Sequence, residues 1–216
     1  MQTLTNDFLR IMLNSEKPSE FFEYLKKNNK LGSFSELYFL IVTCQDATWH
    51  PEGSVWTHTL MVIDVAAEFR NTYHSEKDAL AFMLGALCHD FGKPYTTIMK
   101  QGRIKSPLHD LMGLPPTKSF LNKLGLDEFF PDVSAYIMEH LKPIQLYKNR
   151  ENVSDAAIQR LSKRINIYDL YKLSASDHWG RTDEEATKRI HPAGEWLLQR
   201  YKSILEKEKA FSVMPA

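Results

Sequence analysis

Two cysteines in 216 residues are too few for a disulfide framework, and Cys44 and Cys88 both sit in apolar runs, LIVTC and MLGALC. That pattern suits buried free thiols in a reducing compartment, so a cytoplasmic setting is expected. An excess of either charge is also missing, since Lys plus Arg and Asp plus Glu are both 27. No whole-molecule field draws such a chain to nucleic acid or membrane, and any preference for phosphate must come from a local site. No apolar run nears the roughly 20 residues that span a bilayer. The first residues carry Asp7 and Arg10 and lack the basic start, long apolar centre and small-residue cleavage site of a secretory signal. Alternating strand patterns and Asn-Gly or Asp-Gly hairpin signals do not recur, and there is no internal repeat, low-complexity tract or linker.

What is present is helical spacing throughout, with 43% apolar and 25% charged residues. The expected fold is an all-α, single-domain helical bundle. Helices are predicted near 3–14, from Pro18-Ser19 to KKNNK, and near 33–43, followed by a loop over 45–53 ending in HPEG. Ser54 is the expected N-cap of a helix over 55–73, on which Val55, His58, Val62, Val65, Ala66 and Phe69 form one inward stripe. The next helix, 76–90, is apolar from Ala79 to Cys88 and is expected to stop at Gly92-Lys93-Pro94, with Gly92 left-handed. Ser106-Pro107 opens a further piece bearing His109, which Pro115-Pro116 interrupts. After the breaker Pro131, a helix over 132–141 ends in Glu139-His140. The last long elements are read over Ser154–Gly180 and Thr182–Lys209, with a kink at Pro192.

The informative pair is His89-Asp90, because a carboxylate at the end of an apolar helix incurs a large desolvation cost unless a cation or donors compensate it. Alone, a His-Asp dipeptide is a weak signal, more often a helix-terminal His followed by a solvated or capping Asp than a metal ligand pair. Around it, however, stand His58 on its apolar stripe, His109 after a loop, His140 at a helix end and Asp177 in SASDHWGR. Imidazole and carboxylate together suit zinc, manganese, iron, cobalt, nickel or magnesium without choosing among them. Lys93 can reach a phosphate or leaving oxygen, or simply be a cation favoured at a helix C-terminus. Arg181, four residues after Asp177, can orient that carboxylate as an ion pair or clamp substrate. His50 and Glu52 in HPEG read as site border or as loop residues, whereas His74, His178 and His191 read as surface histidines. Trp49, Trp56, Trp179 and Tyr147 can stack a base, although core packing is the commoner use of tryptophan.

In this ordered set the sequence resembles the HD superfamily of metal-dependent phosphohydrolases. The resemblance implies His58, His89, Asp90 and Asp177 as core ligands, with His109 and His140 added where two metals are held. The stretches HPEGSVWTHTLMVID, ALCHDFGKPYTT and ASDHWGR look like the HD region of bacterial CCA-adding tRNA nucleotidyltransferases, a similarity spanning about residues 32–182. The nucleotide-transferring head of that family uses an Asp-x-Asp pair, and no two Asp residues here are so spaced, so nucleotidyl transfer is not expected of this chain. Pro115-Pro116 also departs from the pattern, falling where relatives continue the helix after His109. One domain over 1–216 is expected, with a metal-binding core at 32–182 and helical extensions at 1–31 and 183–216 packed on it.

The implied function is a phosphohydrolase cleaving a phosphomonoester or phosphodiester of a nucleotide or cyclic nucleotide. One or two divalent ions would activate water, with Asp90 and Lys93 catalytic and Lys93 and Arg181 binding substrate. The alternative is a non-catalytic tRNA-binding or regulatory HD domain, and a third reading is a structural domain whose histidines pair with internal carboxylates.

Overall fold

The computed structural model describes residues 2–212, so residue 1 and residues 213–216 of the unit read over 1–216 lie outside the described residues. The chain opens with α1 (Gln2–Asn14), α2 (Ser19–Lys27) and α3 (Ser35–Val42). Two helices then form the centre, α4 (Val55–Arg70) and α5 (Glu76–Cys88). Ser54 caps α4 by accepting from the Thr57 N–H, as its position predicts, and Ser75 caps α5 by accepting from Asp78 N–H. Burial on α4 extends well beyond the expected stripe, taking in Trp56, Thr59, Leu60, Ile63, Ala67 and Arg70. The helix is enclosed on most sides, by α5, α3 and α12 (Ile167–Trp179). Every residue of α5 from Ala79 to Cys88 is buried, as its unbroken apolar run requires.

Short elements follow: α6 (Lys93–Thr96), strands β1 (Ile98–Lys100) and β2 (Arg103–Lys105), α7 (His109–Met112) and α8 (Leu114–Leu124). The antiparallel β1–β2 hairpin was not expected, because its turn is Gln101-Gly102 and not an Asn-Gly pair. Both turn residues have positive φ, 53° and 72°, the combination a two-residue hairpin turn with strand-matched twist requires. α9 (Phe130–Glu139) packs on α5, and α10 (Lys142–Lys148), α11 (Asp155–Ser162) and α12 meet α14 (Pro192–Ser212), with α13 (Glu184–Thr187) between.

Prolines account for most differences from the predicted boundaries. Pro94, Pro115, Pro116, Pro131 and Pro143 all occupy the first turn of a helix, where the missing N–H costs nothing. Pro192 likewise begins α14 and does not kink it, and α10 appears where no helix was expected. The long element read from Ser154 to Gly180 is two helices, because the Asn166 side chain accepts the Tyr168 and Asp169 N–H groups and starts a new one. Gly92 has ordinary helical φ of −82°, so it is no left-handed stop; it serves close approach. A Cβ on it would collide with the His109 carbonyl oxygen and lie 2.6 Å from the Gly113 nitrogen. Cys88 is buried as expected, whereas Cys44 is exposed, since it follows the end of α3 on the way into the loop.

Candidate metal centre

Helix ends deliver most of the polar residues to one place. His58 lies in the second turn of α4, His89 caps the C-terminus of α5 with Asp90 next to it, His109 opens α7, His140 caps α9, and Asp177 lies in the last turn of α12. Leu108 adopts a left-handed φ of 57° just before His109, a strained conformation of the kind that persists where it aims a functional group. All six predicted residues are brought together. His58 Nε2 is 3.0 Å from Asp177 Oδ1 and 3.9 Å from Asp90 Oδ2. His89 Nε2 is 3.2 Å from Asp90 Oδ2, His109 Nε2 is 3.3 Å from Asp90 Oδ1, and the Nε2 atoms of His109 and His140 are 3.1 Å apart. His58, His89, Asp90, His109 and His140 are all buried.

The Nδ1 atoms decide what these histidines can do. Those of His89, His109 and His140 sit 2.8, 2.7 and 2.6 Å from the carbonyl oxygens of Ala86, Ser106 and Ile137. His58 Nδ1 is 3.1 Å from the Gly180 carbonyl and 2.9 Å from Glu52 Oε1. A carbonyl or carboxylate oxygen only accepts, so each Nδ1 carries the hydrogen and each neutral ring turns a lone pair on Nε2 inward. Four lone pairs and two carboxylates thus converge, and the His109 and His140 nitrogens face each other with nothing to share. His89 Nε2 is buried without a hydrogen-bond partner, and Asp90 Oδ2, met by the Lys93 ammonium at 2.6 Å, otherwise faces imidazole lone pairs that have no donor to offer it. Orphans of this kind need a cation, and the residues fit one: His58, His89 and Asp90 form one group able to hold an ion, and Asp90, His109 and His140 another.

Electrostatics follow the same arrangement. Burial pushes the Asp90 carboxyl up, but the neighbouring His89 and Lys93 outweigh it and hold the group well below the usual carboxylate range. Burial likewise opposes ionisation of Asp177, and the neighbouring His58 and Arg181 outweigh it and hold the group well below the usual carboxylate range. His140 goes the other way, lowered to about 4 by burial and by His109. For His89 burial disfavours charge, yet Asp90 beside it raises the pKa.

Lys93 Nζ lies 2.6 Å from Asp90 Oδ2 and donates to Gln45 Oε1 at 2.6 Å, so the loop before α4 fixes the ammonium at the cluster. Arg181 is 3.6 Å from Asp177, the ion pair their spacing allows. Glu52, one of two readings of HPEG, is a buried carboxylate whose Oε1 also accepts from His50 Nδ1 at 2.8 Å. Burial opposes its ionisation, but the two imidazole hydrogen bonds lower it to about 2.

A cavity of about 610 Å3 opens over Asp90, Lys93, His109, His140, Asp177 and Arg181. It is large enough for a mononucleotide-sized ligand. His178 and His191, expected at the surface, instead line it; their rings stack at 4.9 Å, and His191 Nε2 is 2.9 Å from Ser174 Oγ. Polar sequence neighbours misled there, because α12 and the start of α14 pack together and enclose both rings. His74 is exposed as expected. Trp56 belongs to the core and Trp179 stacks on Phe69, whereas Trp49 and Tyr147 line the cavity.

A helical bundle whose helix ends close around inward-facing imidazole lone pairs and a shared carboxylate defines a metal-centre domain. The profile of the HD domain matches residues 55–172, more than half of the chain, and the chain belongs to that family, a superfamily of metal-dependent phosphohydrolases. It is also similar to three proteins named multifunctional CCA protein. That of Mannheimia succiniciproducens is 26% identical over 202 residues, covering 90% of this chain and 46% of the relative. That of Pasteurella multocida is 28% identical over 211 residues, covering 91% and 48%. That of Shewanella frigidimarina is 27% identical over 200 residues, covering 88% and 44%. The chain spans about half the length of these relatives. Among the described residues no helix is long and apolar enough to cross a membrane.

Proposed function

We propose that the chain is a metal-dependent phosphohydrolase that cleaves a phosphomonoester or phosphodiester of a nucleotide or cyclic nucleotide. The observation that carries this reading is the convergence of acceptor-only atoms beside a ligand-sized cavity that Asp90, His109, His140 and Asp177 line, with His89 Nε2 buried and unpartnered next to Asp90. His58, His89, Asp90 and Asp177 would hold one divalent ion, and His109 and His140 would share Asp90 with a second. Such an ion supplies neutralisation of phosphoryl oxygens and a lowered pKa for water.

The chain's own residues do the rest. Asp90 presents both carboxylate oxygens to the cluster, and the carbonyl-bound histidines keep their rings from turning. Lys93, fixed by Gln45, is the donor that meets a phosphate or leaving oxygen, and Arg181 braces Asp177 while facing the ligand. The core at 32–182 provides these groups, and the extension from 183 onward closes the cavity with Glu185, His191, Pro192 and Ala193. The exposed and buried thiols, both free, suit a cytoplasmic setting.

A second reading, a tRNA-binding or regulatory domain without turnover, draws its support from the names of the CCA relatives. One experiment separates the two: elemental analysis and hydrolysis of bis(p-nitrophenyl) phosphate and a nucleotide panel, with wild type and Asp90→Ala in parallel. Bound metal with turnover in wild type and loss of both in the variant is expected. Equal, near-zero metal in both after reconstitution overturns the enzyme, and tRNA binding that weakens steeply with salt but without hydrolysis supports the second reading.

A further inference from the structure

His50 lies on the cavity wall beside the cluster, its ring edge-on to His58 with centroids 4.7 Å apart. Glu52 Oε1 accepts from its Nδ1 at 2.8 Å, so the ring hydrogen is committed to the side away from Nε2. With that hydrogen on Nδ1, the Nε2 of the neutral ring offers a lone pair and no hydrogen. Among the described residues no protein group donates to that atom.

An acceptor of this kind cannot hold phosphoryl oxygens, which are acceptors themselves. Its complement is a donor, and the donor available close to a phosphate ester is a hydroxyl on a neighbouring carbon. We infer that His50 is a specificity-determining residue that accepts a hydrogen bond from a substrate hydroxyl vicinal to the phosphate, so the site selects hydroxylated phosphate esters over their deoxy counterparts. The selection rests on the phosphohydrolase reading for the place of the phosphate, and on Glu52 for the spacing. Because one carboxylate grips both His50 and His58, the group that reads the hydroxyl is tied to the group that faces the cluster.

The test uses Mn(II)-loaded full chain and the non-hydrolysable phosphonate analogues of adenosine 3′-monophosphate and 2′-deoxyadenosine 3′-monophosphate, with Kd read by calorimetry. Wild type is expected to bind the hydroxylated ligand about five- to tenfold more tightly, the worth of one net hydrogen bond between neutral groups. His50→Ala removes the preference by weakening the hydroxylated ligand alone, and His50→Gln retains it through its amide oxygen. Equal affinities in wild type, failure to bind either ligand, a preference that survives in His50→Ala, or an equal loss for both ligands overturns the inference. An equal loss would make His50 a contact to water or phosphate. Hydrolysis of bis(p-nitrophenyl) phosphate, which has no such hydroxyl, reports in the same preparation on the phosphohydrolase reading alone. The two can thus fail separately.

Discussion

At the scale of the residue, Glu52 holds the position of greatest leverage outside the cluster. Its side chain is 1% exposed and serves two imidazoles, so its loss frees His58 to rotate while leaving every expected ligand in place. Glu52→Gln is expected to lower cation affinity about 10- to 100-fold, the usual effect of removing an outer partner of a ligating histidine. The amide oxygen can still accept from both rings, as Oε1 does, but the negative charge that polarises them is lost and an NH2 replaces the buried Oε2, which has no hydrogen-bond partner. Competition with a chromophoric chelator measures this, and unchanged affinity would mean that the Gly180 carbonyl alone orients His58. The burial of His58, His89 and Asp90 was legible because His89-Asp90 ends an apolar run and His58 lies on an apolar stripe, whereas His109, His140 and Asp177 were picked out by the family resemblance. Glu52, His178 and His191 were not readable in that way, since their sequence neighbours are polar and their burial comes from distant segments. Cys44 failed in the opposite sense, as apolar neighbours on α3 do not bury the residue that follows its end.

Elements set the spacing of the cluster through close backbone contact. The turn after α5 and the start of α7 approach at Gly92, where any side chain would drive into the His109 backbone. Gly92→Ala is therefore expected to destabilise the fold by roughly 1–3 kcal/mol, the range for overpacking a tight site. It should also displace His109 from Asp90, weakening the second ion more than the first. Chemical denaturation with metal titration checks both, and a wild-type midpoint with two equal sites would show that α7 is free to shift. Helix existence was legible from spacing for α1 to α5, and Ser54 marked its helix start correctly. Proline was the main source of error, because from sequence alone a proline reads as a stop or a first-turn residue with equal ease. The β1–β2 hairpin escaped because glutamine seldom accepts the left-handed φ that Gln101 takes.

For the whole molecule, proton uptake links the buried histidines to stability. Burial lowers His50 and His140 to about 4 and His191 to about 3, against an unfolded value of 6.5. Between pH 6.5 and about 4 the unfolded chain binds protons that these three rings refuse, so the folded state loses ground as pH falls through that window. Each ring contributes up to roughly 1.4 kcal/mol per pH unit. His89 opposes them, since its pKa is raised and its stabilisation is complete below 6.5 and lost at higher pH. Three lowered groups outweigh one raised group, and below about pH 4 the depressed carboxyls of Glu52, Asp90 and Asp177 lose their own contribution as well. A cation bound only by the folded state adds about 2.7 kcal/mol at a hundred times its Kd, and it requires the imidazoles that would hold it, His89 and His140 among them, to be neutral. The expected outcome is a metal-free protein whose denaturation midpoint declines steadily from pH 7 to 4, and a cation-induced rise in Tm at pH 7 that has largely vanished by pH 5. A midpoint flat across that range would mean that these rings take up protons inside the folded chain. A Tm rise independent of pH would place the cation on carboxylates alone, with the four inward nitrogens playing no part in holding it.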